Sequence, residues 1–263
     1  MNTNSNVYTV IYTAIVVAIV AAVLAFVSQK LGPMQAANEK AETVSQILTA
    51  AQFGDKDSWS EKGNAATLDF YKENIESAVV VNKAGEEIEA LDIESVKIYS
   101  TAELKAQNYK VKAGEDFALP VYIFKNGIKV LPVYGAGLWG PIWGYIAVNS
   151  DNRTIAGAYF DHESETPGLG GKIKDDPEFR AQFAGKVIDY EADKTFAIIK
   201  GGAKGQANAV DAITGATMTS KGLDAAITEW LNAYQNALAV EEPAQEEVPV
   251  EESNETMEET SNE

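Results

Sequence analysis

A chain of 263 residues, 46% of them hydrophobic, can build one substantial packed domain with appendages but not two full enzyme domains. It has no cysteine and one histidine, His162, which excludes thiol catalysis, disulfides, cysteine-ligated iron–sulfur clusters and the usual Cys/His zinc sites within the chain. Of the formal charge of −18, the segment Glu241 to Glu263 carries ten Glu and no Lys or Arg, and the remaining −8 forms no basic stripe that would attract nucleic acid. A chain like this that moved electrons would need an organic cofactor to carry them.

In chain order, the first element is Val7 to Val27, an uninterrupted run without a charged residue. As a helix it would be about 31 Å long, the hydrocarbon thickness of a bilayer. Its start, MNTNSN, lacks the basic residues of a cleaved signal peptide, and the apolar run is too long for one, so a retained single-pass anchor is expected. The nearest basic residues, Lys30 and Lys40, follow the anchor and lean weakly toward a cytoplasmic C-terminal side. Met34 to Phe53 reads as a helix with Val44, Ile47, Leu48 and Ala51 on one face and Gly54 as its C-cap.

A mixed stretch to about Leu104 follows, expected to hold short helices and a strand at 78–82 closed by Lys83-Ala84-Gly85. Residues 119–124 and 128–133 flank Asn126-Gly127, the strongest short hairpin signal. Residues 142–148 and 154–160 flank a second turn at Ser150-Asp151-Asn152. Asp176 and Pro177 mark the start of a helix that should end at Gly185, and 196–199 is a short strand. An amphipathic helix is expected from about Lys221 to Leu238, with Leu223, Ile227, Trp230, Leu231, Tyr234 and Leu238 on its apolar side. The tail beyond Val240, with two prolines and no apolar periodicity, should be disordered. The expected organisation is therefore an anchor segment (1–30), a helical and mixed region (31–118), a ligand-binding domain (119–239) and the tail (240–263). The fold class is α+β, a twisted antiparallel sheet flanked by helices.

The stretch with chemical content is Asp211-Ala-Ile-Thr214-Gly215-Ala216-Thr217-Met-Thr219-Ser220. Four hydroxyls crowd around two very small residues directly before the last helix. Gly215 lets backbone approach a ligand closely, Thr219 or Ser220 can cap the helix, and the helix's positive end favours a phosphate. An ordinary Ser/Thr-rich cap is the competing reading.

Asp-x-x-Thr-Gly-Ala-Thr-x-Thr-Ser resembles the flavinylation motif of the FMN-binding domain family, and the resemblance implies Thr217 as acceptor of an FMN phosphoester, with Asp211 part of the signal read by the attaching enzyme. Two further patches agree: Gly135 to Gly144 (GAGLWGPIWG) and His162 to Gly171 (HESETPGLGG). Around Glu165, Thr166, Gly168, Leu169 and Gly170, glycine amides could point at the polar edge of the flavin ring, although Pro-Gly equally marks a plain turn. Leu138, Trp139 and Leu169 are candidates for packing on the ring faces, and equally could be core. His162 reads as a hydrogen-bonding residue more readily than as a proton donor.

With its anchor, the chain resembles the C-subunit family of sodium-translocating NADH:quinone oxidoreductases over nearly its whole length, the tail excepted. The resemblance implies a covalently held FMN, electrons received from a metal centre in membrane subunits and passed to another flavin subunit, and a flavin domain outside the cytoplasmic membrane, against the lean of Lys30 and Lys40. It also implies a separate flavin transferase using FAD and a divalent metal, because nothing resembling a catalytic base accompanies Thr217 in sequence. Residues 135–140 have the Gly-x-Gly-x-x-Gly spacing, but they lie between two expected strands and open no helix as a dinucleotide fingerprint must, so NADH should bind on another subunit. Two rivals remain at this point: the equivalent subunit of the ion-translocating ferredoxin:NAD oxidoreductase, and a flavin-free anchored binding module.

Overall fold

The computed structural model describes residues 6–239, so the acidic tail expected to be disordered lies outside the described residues. Asn6–Ala50 form one continuous helix, α1, where a span and a separate helix from Met34 were expected. Pro33 removes one backbone donor without ending the helix. Its surroundings are largely exposed, so the carbonyl it frees can be satisfied by solvent. Among the described residues α1 is the helix long and apolar enough to cross a membrane, and none of its most apolar window is buried. Its last turns enter the folded body instead, where Val44, Ile47 and Leu48 are fully buried. The helix is closed by Gln52 rather than Gly54: Gln52 adopts φ 64°, and the Phe53 amide returns to the Leu48 carbonyl at 3.0 Å. Asp55 then caps α2 (Lys56–Lys62), which is followed by α3 (Asn64–Asn74).

The sheet contains β1 (Ile75–Val81), β2 (Glu87–Ala90), β3 (Leu119–Phe124), β4 (Lys129–Ala136), β5 (Pro141–Val148) and β6 (Ile155–His162). Its order is β2-β1-β3-β4-β5-β6, every neighbouring pair antiparallel. The sheet therefore runs across the expected division at residue 118, with β1 and β2 before it and β3 to β6 after it. Both hairpin turns form where expected, with Gly127 at φ 83° and Asn152 at φ 59°.

Both faces of the sheet are covered. Leu119, Val121, Ile142, Ile146 and Val148 pack into one core, and Tyr122, Phe124, Tyr145 and Ala147 into the other. This is the two-residue alternation of a strand, with apolar side chains in both directions because helices lie on both sides. The end of α1 with α2 and α3 covers one face. On the other lie α4 (Thr101–Ala113), α5 (Lys172–Asp175), α6 (Pro177–Ala181) and α7 (Thr217–Leu238). The α6 helix starts on its Asp176 cap as expected but stops at Ala181, short of Gly185. The chain turns there to bring Phe183 against Phe160, Phe179 and Phe196 at ring separations of 5.0, 5.6 and 5.4 Å.

α4 carries a complete capping box: the Glu103 amide donates to the Ser100 hydroxyl, and the Ser100 amide donates to the Glu103 carboxylate. Ser100→Ala should cost about 1 kcal/mol. A thermal melt should register this as a loss of roughly 2–4 °C, while an unchanged melt would mean α4 contributes nothing at that end.

A small parallel pair, β7 (Ala197–Ile199) with β8 (Ala209–Asp211), has no counterpart among the expected elements beyond its first strand. It delivers the chain into the 212–216 turn and so into α7. All six apolar residues expected on α7 are buried at 3% exposure or less. A fully buried Leu or Ile contributes about 1.5–3 kcal/mol, against about 1 kcal/mol for a typical helix cap. The helix begins at Thr217, four residues before its expected start, and neither Thr219 nor Ser220 caps it. Ala216 occupies the cap position with no side-chain hydrogen bond.

Candidate functional site

Three segments that lie far apart in sequence meet at one end of the sheet. The first is the tip of the β4–β5 hairpin, residues 137–140, closed by the Gly137 amide donating to the Gly140 carbonyl at 2.8 Å. The second is the loop 162–171 that follows β6. The third is the 212–216 turn with the first turn of α7.

Glu165 joins them. Its side chain is only 4% exposed. One carboxylate oxygen accepts the Trp139 amide at 2.8 Å, and the other accepts the Thr219 hydroxyl at 2.5 Å. Its own amide donates to His162 Nδ1 at 3.2 Å, which gives His162 the hydrogen-bonding role expected of it. Ser164 completes the hold on the hairpin by donating to the Trp139 carbonyl at 3.0 Å. Gly137 and Gly170 leave the room for this carboxylate. A Cβ on Gly137 would sit 2.4 Å from one oxygen, and a Cβ on Gly170 2.3 Å from the other.

The four hydroxyls of the Thr/Ser-rich stretch are sorted by the fold. Thr219 is bound to Glu165, and Ser220 accepts the Ile213 amide at 3.2 Å; both are buried. Thr214 is exposed and Thr217 half-buried, and neither side chain is hydrogen-bonded among the described residues. Thr217 is the first residue of an α7 whose N-terminus has no side-chain cap. The amides of 217–219 precede the first amide with an intrahelical acceptor, Ser220 to Ala216 at 2.9 Å. An anion placed there gains those donors and the helix dipole. Gly215 has φ 84°, a conformation that disfavours any side chain, and Leu169 lies directly over it, 3.0 Å from where a Cβ would be.

Around Thr217 the surface is apolar. Leu138 is 50% exposed, Trp139 66%, Leu169 44% and Met218 55%. Beyond α1, only two other large hydrophobics among the described residues, Ile88 and Tyr109, are exposed to this degree. Such clustering marks a binding surface, since isolated exposed apolar residues are common but grouped ones are not. Met218 is the member that the sequence does not reveal, because a helix starting at Lys221 would leave it in a loop. An uncapped helix end beside a flat apolar patch fits a ligand with an anionic end and a planar ring, and FMN has both.

The remaining expected residues lie nearby with other roles visible. The Thr166 carbonyl accepts the amides of Leu169 at 3.1 Å and Gly171 at 2.9 Å, so the loop's glycine-rich backbone is partly committed to its own turn. Gly168 supports that turn at φ 76°. Asp211, on β8, accepts the Ala203 amide at 2.6 Å and so braces the strand before the turn. Ala216 is buried.

Residues 137–232, which contain nearly all of this constellation, match the model of the FMN-binding domain. The C subunit of the Na(+)-translocating NADH-quinone reductase of Vibrio parahaemolyticus is 33% identical over 215 residues, 75% of this chain and 79% of that protein. The chain belongs to this family of C subunits. The Pseudomonas aeruginosa member is 32% identical over 218 residues, covering 76% of this chain and 82% of its own length. With the Vibrio vulnificus member, at 39% identity, the match spans only about half of each protein, 48% of this chain and 54% of the relative. A solved C subunit from Parabacteroides distasonis superposes with a TM-score of 0.67 at 32% identity, covering 80% of this chain and 98% of that one. NqrC from Shewanella oneidensis gives 0.61 at 25% identity, covering 77% and 96%. The family carries an FMN-binding domain, and this chain holds one with an apolar helix before it.

Behind the site, the acid Asp161 is buried and bonded on several sides. Its carboxylate accepts Gln46 Nε2 of α1 at 2.9 Å and the His162 amide at 2.8 Å, and pairs with Lys174 at 2.8 Å. Burial, and after it the Asp161 charge, push the Tyr145 and Tyr159 phenols well above their ordinary range, so both stay protonated at physiological pH.

Proposed function

We propose that this chain is the flavin-bearing C subunit of a sodium-translocating NADH:quinone oxidoreductase, holding FMN through a phosphoester to Thr217. The observation that carries this reading is Thr217 itself, a half-buried and unbonded hydroxyl at the first position of an uncapped helix. A phosphate esterified there meets the free amides of 217–219, and an isoalloxazine beyond it meets Leu138, Trp139, Leu169 and Met218. Bound FMN supplies chemistry that no side chain here has, the exchange of electrons one or two at a time. The chain's own part is to retain, orient and partly desolvate the ring while leaving an edge open to partners. Because the bond is to the phosphate, it fixes position without altering ring electronics.

In this reading α1 anchors the protein, and the flavin domain lies on the extracytoplasmic side, as the family resemblance implies. The chain relays electrons from a metal centre of the membrane subunits to FMN on another subunit, while NADH and quinone are handled elsewhere in the assembly. Attachment needs a flavin transferase, since no side chain of the described site is placed as a base on the Thr217 hydroxyl. Intact-mass spectrometry of the chain produced with its transferase should find it heavier by one FMN residue. The loaded chain should co-purify with an NADH-oxidising assembly. An unmodified mass would sink the covalent reading, and a ferredoxin-oxidising partner would sink the choice of complex.

A further inference from the structure

Glu165 is a buried carboxylate in a loop that the fold does not need it to hold together. Burying a charged group is costly unless its oxygens are bonded. Here both are, and to donors on two different elements: the backbone of the β4–β5 hairpin tip and the first turn of α7. Neither element depends on Glu165 to exist. The hairpin is held by a ladder running from Lys129↔Val148 to Ala136↔Pro141, and α7 by its buried apolar face. What the carboxylate alone controls is the last few ångströms, where residues 137–140 lie relative to residues 217–220. Those are the residues that present Trp139 and Leu138 on one side and Thr217 and Met218 on the other.

We propose that Glu165 is a positioning residue that clamps the 137–140 hairpin tip to the first turn of α7 and so sets the environment of the flavin held at Thr217. The proposal rests on the flavin reading above for its second half only. Ser164 supports the clamp by holding the Trp139 carbonyl while Glu165 holds the Trp139 amide, so both backbone groups of the most exposed aromatic of the patch are held by one loop. Gly137 and Gly170 fit the same scheme, since a side chain on either would occupy the carboxylate's place. The excess of glycine in these two patches thus has a cause in packing around Glu165.

The test uses the full chain carrying its flavin, and the Thr217→Ala chain as a flavin-free counterpart. Hydrogen exchange read by mass spectrometry should speed up at 137–140 by at least about tenfold in Glu165→Ala, the size expected for losing a charge-assisted hydrogen bond. β5 and β6 should keep their protection. In the loaded chain the visible circular dichroism of the flavin should change and its emission become more open to iodide quenching. Glu165→Gln, which keeps an acceptor oxygen, should restore most of both signals. Thr219→Val removes a single hydroxyl and should produce a smaller change in the same segments, which keeps the question answerable if Glu165→Ala does not fold. Unchanged exchange at 137–140 in both variants would overturn the clamp. Loss of protection across the whole sheet would make Glu165 a general stabiliser instead. A loosened hairpin with an unchanged flavin spectrum would overturn the positioning role. A parent chain with no flavin would refute the reading it rests on and leave the exchange result to decide the clamp alone.

Discussion

Thr217→Ala, produced with the transferase and run on a denaturing gel, should give a chain of normal amount with no fluorescent flavin band. The loss should be complete because a phosphoester needs an oxygen, and the substitution removes the one in question. Two neighbouring hydroxyls cannot readily stand in. Thr219 is bonded to Glu165 and Ser220 to the Ile213 amide, and both are buried. Stability should hardly move, because Thr217 is half-buried and its side chain bonds to nothing among the described residues. A change within about 0.5 kcal/mol is expected of such a position. Thr217→Ser keeps the hydroxyl and should keep some of the band. A band that persists in Thr217→Ala would move the acceptor to Thr214, the other open hydroxyl of the turn, and Thr214→Ala would then remove it.

Much of this fold is legible in the chain because its local signals are strong. Asn126-Gly127 fixes one hairpin, Ser150-Asp151-Asn152 the next, and the apolar spacing of Leu223 to Leu238 defines the long helix and its buried face. The departures share a cause: tertiary packing overrides short-range capping rules. Thr219 and Ser220 have good cap chemistry, yet their hydroxyls point into the body, so the helix begins four residues earlier on an uncapped Ala216. Gly54 is a natural helix stop, yet Gln52 takes the left-handed turn because Phe53 must reach its neighbours Phe70 and Phe124. β2 is hard to read in the sequence because its Glu-Ile-Glu-Ala alternation is only four residues long, and none of the four is buried to mark a core face. At the site, the three motif patches can be read from their residues, but not how they meet. In the sequence Glu165 reads only as a member of a flavin-binding loop, and only the fold places it between two elements with both oxygens in use.

Gly222→Ala carries the second large expected effect, and two opposing terms decide its sign. Replacing a helical glycine by alanine ordinarily stabilises by about 0.8–1 kcal/mol. Gly222, however, lies where α7 touches β4, and a Cβ there would be 2.1 Å from the Ala136 carbonyl oxygen and 3.4 Å from the Gly137 Cα. These are backbone atoms at the end of a paired strand, so no rotamer change relieves the overlap. Overpacking of this kind costs roughly 1–3 kcal/mol and occasionally more, and with rigid backbone on the other side of the contact it outweighs the gain in propensity. The opposite contact is as tight, since a Cβ on Gly135 would be 2.5 Å from the Ala226 Cβ. The helix would have to lift from the sheet by roughly an ångström to restore an ordinary contact distance, carrying Thr217 away from the hairpin tip. Melting should fall by roughly 2–4 °C for each kcal/mol lost, and the fluorescent band should weaken in the surviving folded chain. Gly32, also helical but with nothing within 4 Å of its would-be Cβ, provides the control. Gly32→Ala should be neutral or stabilising, and if Gly222→Ala behaves the same way, α7 does not dock on β4 as closely as described.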